Sequence, residues 1–301
     1  MMKMFERLLK EYGYEMRLSG RLSAASVAAY TSDLKDYARY LESRVASPRD
    51  IDADTVRGYL ATLRKKHMSA ASVTRKLSAI RGFHQYMLNE KLIDENVVLR
   101  VRPPKKKVRL PDVLSIEEIE RLLAASKGTT PLHCRNTAMI ELLYGSGLRI
   151  SELLDLRLDA LHVNQGFINV TGKGGKERIV PIGTEAAKAL KVYLESGREA
   201  LSKARTPFVF LNRLGRPIGR VGFYKIIKSL AVDAGIDKDV SPHTLRHSFA
   251  THLIEAGVEI RYVQEMLGHE HVATTEIYTH LSRSTLIDIY DKYHPHAKKQ
   301  T

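Results

Sequence analysis

The chain has 301 residues, enough for two domains with cores of their own, and its 44% hydrophobic and 27% charged content is ordinary for a globular protein. It carries 48 Lys and Arg against 34 Asp and Glu, a formal charge of +14, which points to a polyanionic partner. One cysteine excludes an internal disulfide and fits a reducing cytoplasm, and no apolar run has the length a membrane helix needs.

The opening "MMKMFERLLKEYG" mixes charge with apolar residues at helical spacing, which is not the pattern of a secretory leader. Ser23 is placed to cap a helix whose Val27, Tyr30, Leu34, Tyr37 and Leu41 recur at steps of three and four. Asp52 or Asp54 can cap a second helix bearing Val56, Leu60 and Leu63. A third is expected from about Ser72 to Glu90, with Val73, Leu77, Ile80, Met87 and Leu88 inward. Its other faces carry Arg75, Lys76 and Arg81, near "RKK" at 64–66. Those cations form either a solvated face or a face that meets phosphates.

The stretch "RVRPPKKKVRLPDVL", 100–114, holds three prolines and six basic residues and cannot make a packed element. It reads as a basic linker with Lys105, Lys106 and Lys107 at its centre, either a solvated connector or a strap joining two lobes across a duplex. The texture then changes. "SIEEIERLLAAS" opens with Ser115 and has Glu118 three residues on, a capping box. "PLHCRNTAMIELLYGSG" is a helix ended by glycines. "FINVTGKGGKERIVPI", 167–182, is two β-branched runs about a glycine turn, hence a hairpin, and "TPFVFLN" is expected to add another short strand. Helices dominate to the end. The fold class expected is mainly α with a small antiparallel β-sheet, in two domains.

In "SPHTLRHSFATHL", Ser241 is an N-cap and Pro242 occupies the first helical position. Leu245, Phe249 and Leu253 form the buried stripe. His243 sits in the first turn, where free backbone N–H groups favour an anion, and Arg246 lies one turn on, at the stripe's edge. His243 and His247 have the i, i+4 spacing of a zinc pair. Against zinc, Thr244 stands where the metalloprotease pattern needs glutamate, Arg246 would sit beside the metal, and no Cys or carboxylate completes the site. A phosphate group fits His243 and Arg246 better, whereas His247 and His252 also read as structural histidines.

Three further segments suit a phosphate reaction. "YGSGLRISELLDL" delivers Arg149 at a glycine-rich turn, with Glu152 three residues on to hold its guanidinium. "TGKGGKER" puts Lys173 at the hairpin tip, without the spacing of a P-loop. "LGHEHVATTEIYTH" offers His269 after a helix-ending glycine and Tyr278 in a short helical run; a lone tyrosine is also a common packing residue.

The motifs "GLRISEL", "TGKGGKERIVPI", "HTLRHSFATHL", "LGH" and "IYTH", in this order, resemble the tyrosine recombinase (phage-integrase-type) family, and within it the Xer site-specific recombinases. The resemblance runs over nearly the whole chain. It implies a helical core-DNA-binding domain over 1–98, a basic linker over 99–110, and an α+β catalytic domain over 111–301, closing as a clamp on double-stranded DNA. It implies that Tyr278 attacks a phosphodiester, that Arg149 and Arg246 hold the non-bridging oxygens, that His243 assists as base, that Lys173 protonates the leaving 5′-oxygen and that His269 adds a hydrogen bond. Glu152 would order Arg149. No metal or cofactor is needed in this scheme.

Family members exchange strands within a tetramer on two sites, some with a paralogous recombinase or a DNA translocase activator. The segment after Tyr278 carries Leu286, Ile289, Tyr290 and Tyr293 at helical spacing, and by resemblance forms a helix docking on a neighbouring protomer. Packing on its own domain is the simpler alternative. A type IB topoisomerase-like enzyme, or a DNA-binding protein without catalysis on the same fold, are the competing functions. No membrane role is expected.

Overall fold

The computed structural model describes residues 4–20, 22–104, 112–172, 177–268 and 283–297. The chain divides into two compact units, Met1–Arg109 and Leu110–Thr301.

The first unit is four helices: α1 (Met4–Leu18), α2 (Ala24–Glu42), α3 (Ala53–Lys65) and α4 (Ala70–Asn89). Their starts follow from side chains that satisfy a first-turn N–H. Ser23 accepts from the Ser26 N–H at 3.2 Å, Asp52 from Thr55 at 2.7 Å, and Ser69 from Ser72 at 3.2 Å. The third expected helix therefore begins at Ala70, two residues earlier than the expected Ser72, because Ser69 caps it. Phe5, Val27, Leu34, Tyr37, Leu41, Val56, Leu60, Leu77, Phe83 and Met87 fill one core. Tyr37 Oη and His84 Nε2 lie 2.9 Å apart within it.

The second unit is built round α6 (Pro131–Ser146), whose Met139, Leu142, Leu143 and Tyr144 are fully buried. Preceding it, α5 (Ile116–Ser126) shows the expected capping box: Glu118 N–H donates to Ser115 Oγ at 3.2 Å and Ser115 N–H to Glu118 Oε2 at 2.7 Å. Next come α7 (Ile150–Leu154) and three antiparallel strands in the order β1 (Leu161–His162), β2 (Phe167–Thr171), β3 (Glu177–Pro181). The hairpin register runs from Phe167 opposite Pro181 to Thr171 opposite Glu177.

After β3, α8 (Thr184–Val192) passes through π-helical turns at Tyr193–Arg198 into α9 (Glu199–Leu201). Then follow α10 (Arg220–Asp233), α11 (Pro242–Glu255), α12 (Ile260–Leu267) and α13 (Arg283–Tyr293).

"TPFVFLN" is not a strand. Its backbone serves several neighbours in turn: Leu158 N–H donates to Pro207 O, Val209 N–H to Leu156 O, and Ile218 N–H to Phe210 O. Tyr193 Oη donates to Val209 O at 3.0 Å and accepts from Leu211 N–H at 3.1 Å. A segment that alternates partners cannot keep a ladder. The third strand is instead the short β1, paired with β2 through Leu161 and Ile168.

The C-terminal helix packs on its own domain. Leu286 and Tyr290 are buried in the second unit's core, and Ile289 and Tyr293 flank it. Tyr290 Oη is 3.1 Å from His294 Nδ1, and Thr184 N–H donates to Ala297 O at 3.2 Å. Gly183 lets the tail pass, since a Cβ there would come within 2.6 Å of His296 O and of Tyr290 Oη. Among the described residues no helix is long and apolar enough to cross a membrane.

Candidate active site

The turn between α6 and α7 positions the first arginine. Gly147 ends α6 in the left-handed conformation, φ 57°, and a Cβ there would lie 2.5 Å from Phe249 Cδ1. Glycine is therefore required both by the backbone and by the packing. Arg149 is the N-cap of α7. Its own N–H donates to Glu152 Oε2 at 2.8 Å, and its Nη1 donates to Glu152 Oε1 at 2.9 Å. One carboxylate thus fixes both ends of Arg149, its backbone and its guanidinium, as the i, i+3 spacing anticipates.

The second arginine comes from α11. Ser241 caps this helix, accepting from Thr244 N–H at 3.1 Å, and Pro242 fills its first position. Leu245, Phe249 and Leu253 anchor it in the core, and replacing Phe249 by Ala would cost about 3–5 kcal/mol. That anchoring places Arg246, half-buried, with Nη1 on Gly147 O at 2.5 Å and Nη2 on Leu267 O at 2.7 Å.

A third arginine joins them that the sequence reading did not single out. Arg178, on β3, reaches Glu152 with a two-pronged contact, Nη1 to Oε1 at 2.7 Å and Nη2 to Oε2 at 3.0 Å. Its Nε donates to Met266 O at 3.4 Å. The three guanidiniums therefore sit on three consecutive carbonyls at the end of α12: Arg178 on Met266, Arg246 on Leu267 and Arg149 on Gly268 at 2.7 Å. A helix C-terminus carries partial negative charge on its unpaired carbonyls, so it collects and aligns these cations.

The cluster sets three guanidiniums against one carboxylate, bonded to Arg149 and Arg178 alone, so it carries excess positive charge. Burial raises the Glu152 carboxyl, but its bonds to Arg178 and Arg149 outweigh this and hold it below the usual carboxylate range. Arg246 is lowered to about 10, first by burial and then by Arg149. It stays charged at neutral pH, and an anion beside it would relieve the strain between like charges. Each of Arg149 and Arg246 has five N–H groups and commits only two of its guanidinium nitrogens here, leaving donors for a ligand. Two such clamps suit the non-bridging oxygens of a phosphodiester.

His243 is exposed in the otherwise buried first turn of α11, one turn before Arg246, and His247 is half-buried one turn further on. His252 is structural: it is buried and its Nδ1 lies 2.9 Å from Tyr144 Oη. No three His, Cys, Asp or Glu side chains among the described residues group as metal ligands. Lys173, His269 and Tyr278 lie outside the described residues, as do Lys105, Lys106 and Lys107. Chain order alone puts His269 directly after Gly268, at the end of α12.

In the first unit the basic residues divide. Arg81 is exposed. Arg75, half-exposed, pairs with Asp33. Lys76 departs from the expected phosphate-facing role: its side chain is 6% exposed, with Nζ 3.0 Å from Asp33 and 3.4 Å from Asp36. An ammonium held inside by two carboxylates is not presented to a ligand. Arg57, Arg64, Arg100 and Arg102 line one groove of this unit, a convergence from α3 and the chain beyond Val97 that no local motif announces. Arg57 and Arg100 are paired with Asp54 and Glu95.

The chain is similar to known proteins over nearly its whole length. The model of the phage integrase family matches residues 112–285, and that of the phage integrase N-terminal SAM-like domain matches residues 9–91. The tyrosine recombinase XerD of Halalkalibacterium halodurans is 44% identical over 292 residues, 96% of this chain and 98% of its own. The protein of the same name from Oceanobacillus iheyensis is 42% identical over 98% of this chain and 100% of its own. Among solved structures, the XerA recombinase is 29% identical over 96% of this chain and 99% of its own, with a TM-score of 0.51. The XerH site-specific recombinase bound to palindromic difH substrate, a post-cleavage complex, shares the fold: TM-score 0.71, 24% identity, 94% of this chain and 83% of its own.

Proposed function

The chain belongs to the phage integrase family of tyrosine recombinases, and from that premise we propose that it is an Xer-like site-specific recombinase that cuts and rejoins DNA through a 3′-phosphotyrosine. The observation that carries this reading is the pair Arg149 and Arg246, fixed side by side at the end of α12 with donors to spare. The chain then runs directly into the segment that holds His269 and Tyr278.

In the proposed reaction the Tyr278 oxygen attacks phosphorus, the bond to the 5′-oxygen breaks, and Lys173 passes a proton to that oxygen. A phenol has a pKa near 10, so it needs a proton acceptor and a cationic setting; His243 supplies the first and the guanidiniums the second. Arg149 and Arg246 stabilise the charge that builds on the non-bridging oxygens, and His269 adds a donor. The phosphotyrosine bond keeps the energy of the broken linkage. An incoming 5′-hydroxyl reverses each step and needs no nucleotide. Glu152 orders Arg149 without touching the phosphate.

The remaining basic residues bind duplex backbone: Arg75 and Arg81 on α4, the groove arginines Arg64 and Arg102, and Lys105, Lys106 and Lys107 in the linker. Affinity then falls steeply with salt. The assembly is a tetramer on two sites in the cytoplasm, resolving chromosome or plasmid dimers with or without a paralogue or a translocase activator. A nicked suicide duplex carrying the site tests the reading. The protein should form a denaturation-stable adduct in EDTA, and Tyr278→Phe should bind the same duplex and form none. An adduct made equally by the Phe variant refutes it.

A further inference from the structure

We infer that Arg178 is a positioning residue of the strand-cleavage reaction: its guanidinium fork on Glu152 fixes the carboxylate that in turn fixes Arg149. The inference rests on the recombinase reading above and adds a residue to it. Glu152 is 3% exposed and receives four bonds, two from Arg149 and two from Arg178. With all its lone pairs engaged, it has one orientation. Without Arg178, Oε1 and Oε2 would each keep one bond, both from Arg149, a residue on the carboxylate's own turn of chain. Such a local pair leaves the carboxylate free to turn with the arginine.

Arg178 supplies the external reference. It comes from β3, 26 residues away in sequence, and its side chain is only 17% exposed. The fork is backed by Met266 O behind Nε and by Gly268 packed against the same group, where a Cβ would lie 2.9 Å from Nε and 3.1 Å from Cζ. The strand hairpin, α7 and the end of α12 are thus tied at a single carboxylate. Arg178 commits all three of its guanidinium nitrogens, two to Glu152 and one to Met266 O, whereas Arg149 and Arg246 each commit two, so it serves here as a support for Glu152.

The test uses the full-length protein and single-turnover cleavage of the suicide duplex. Arg178→Gln should lower the cleavage rate about 10- to 100-fold, the usual cost of losing a partner that orients a site group, with duplex Kd changed by no more than about twofold. Arg178→Lys, one point charge in place of a fork, should fall between Gln and wild type. It carries the test if Arg178→Gln melts early. In a Glu152→Gln background, Arg178→Gln should cost less than about threefold more, since both act through one contact. With Glu152 intact, the pH profile of the single variant Arg178→Gln should also gain an acid limb absent from wild type, because Glu152 without that guanidinium protonates at higher pH. Folded Arg178 variants that cleave at the wild-type rate, losses that multiply with Glu152→Gln, or a Kd that worsens in step with the rate would each overturn the inference. Wild-type protein that forms no adduct would instead refute the recombinase reading.

Discussion

Arg149 and Arg246 donate to adjacent carbonyls, Gly268 O and Leu267 O, each at 2.7 Å. Two like charges are held together because the end of one short helix accepts from both. Arg246 registers the proximity as a pKa lowered by burial and by Arg149. The arrangement is preorganised: the donors are in place before a phosphate arrives, so little is spent on reorientation during reaction.

Lysine cannot reproduce either arginine, since one ammonium cannot reach two fixed acceptors and still offer planar donors to a phosphate. Arg149→Lys and Arg246→Lys should each slow adduct formation by a hundredfold or more, corresponding to about 3–4 kcal/mol. Binding measured by gel shift should change far less. Equal losses in rate and affinity would mean that these residues only hold DNA.

Gly268→Ala separates backbone strain from site geometry. Gly268 has φ 63° and an added Cβ would press on Arg178, whereas Gly235 has φ 62° and open space around it. Both Ala variants should lose about 1 kcal/mol of stability for the left-handed conformation. Only Gly268→Ala should also slow cleavage. Matching kinetics for the two variants would argue against a role for the α12 terminus.

Stability should fall in mild acid, for a reason legible in two buried histidines. Burial lowers His84 to about 4 and His294 to about 3, while the unfolded chain titrates near 6.5. Between those values the unfolded state binds more protons, so stability is intact above about pH 6.5 and is lost as pH drops below it. By pH 5 each histidine should cost up to about 2 kcal/mol. His84 sits in the first unit and His294 in the second, so both units should soften together in melts at pH 7 and pH 5. Replacing His84 by Gln should flatten the dependence of the first.

Lys76 and Arg81 stand five residues apart on α4 and should behave in opposite ways. Lys76→Met leaves Asp33 short of a buried partner and should destabilise the fold by roughly 3 kcal/mol with the salt dependence of binding unchanged. Arg81→Ala should leave the melting temperature alone and reduce the salt slope by about one. Salt titrations of binding alongside thermal melts decide between them.

Local features were readable from the residues alone. The caps at Ser23, Asp52, Ser115 and Ser241, the hairpin ends, and the Arg149–Glu152 pair all depend on neighbours three or four residues away. What escaped depends on contacts distant in sequence. Arg178 carries no local signal, because its acceptor Glu152 lies on another element. Lys76 looked like a surface charge because Asp33 and Asp36 come from α2. "TPFVFLN" has strand composition, but its backbone partners come from four separate segments, around Leu156, Tyr193, Ile218 and Arg135. The carbonyl row at Met266, Leu267 and Gly268 has no side-chain signature at all.

Peptide mass spectrometry of the trapped adduct tests the central claim most directly. After nuclease and protease digestion in EDTA, the account predicts a nucleotide joined through its 3′-phosphate to the peptide containing Tyr278, and to no other residue. A nucleotide on a different side chain, or an adduct that appears only when a divalent metal is supplied, would contradict it.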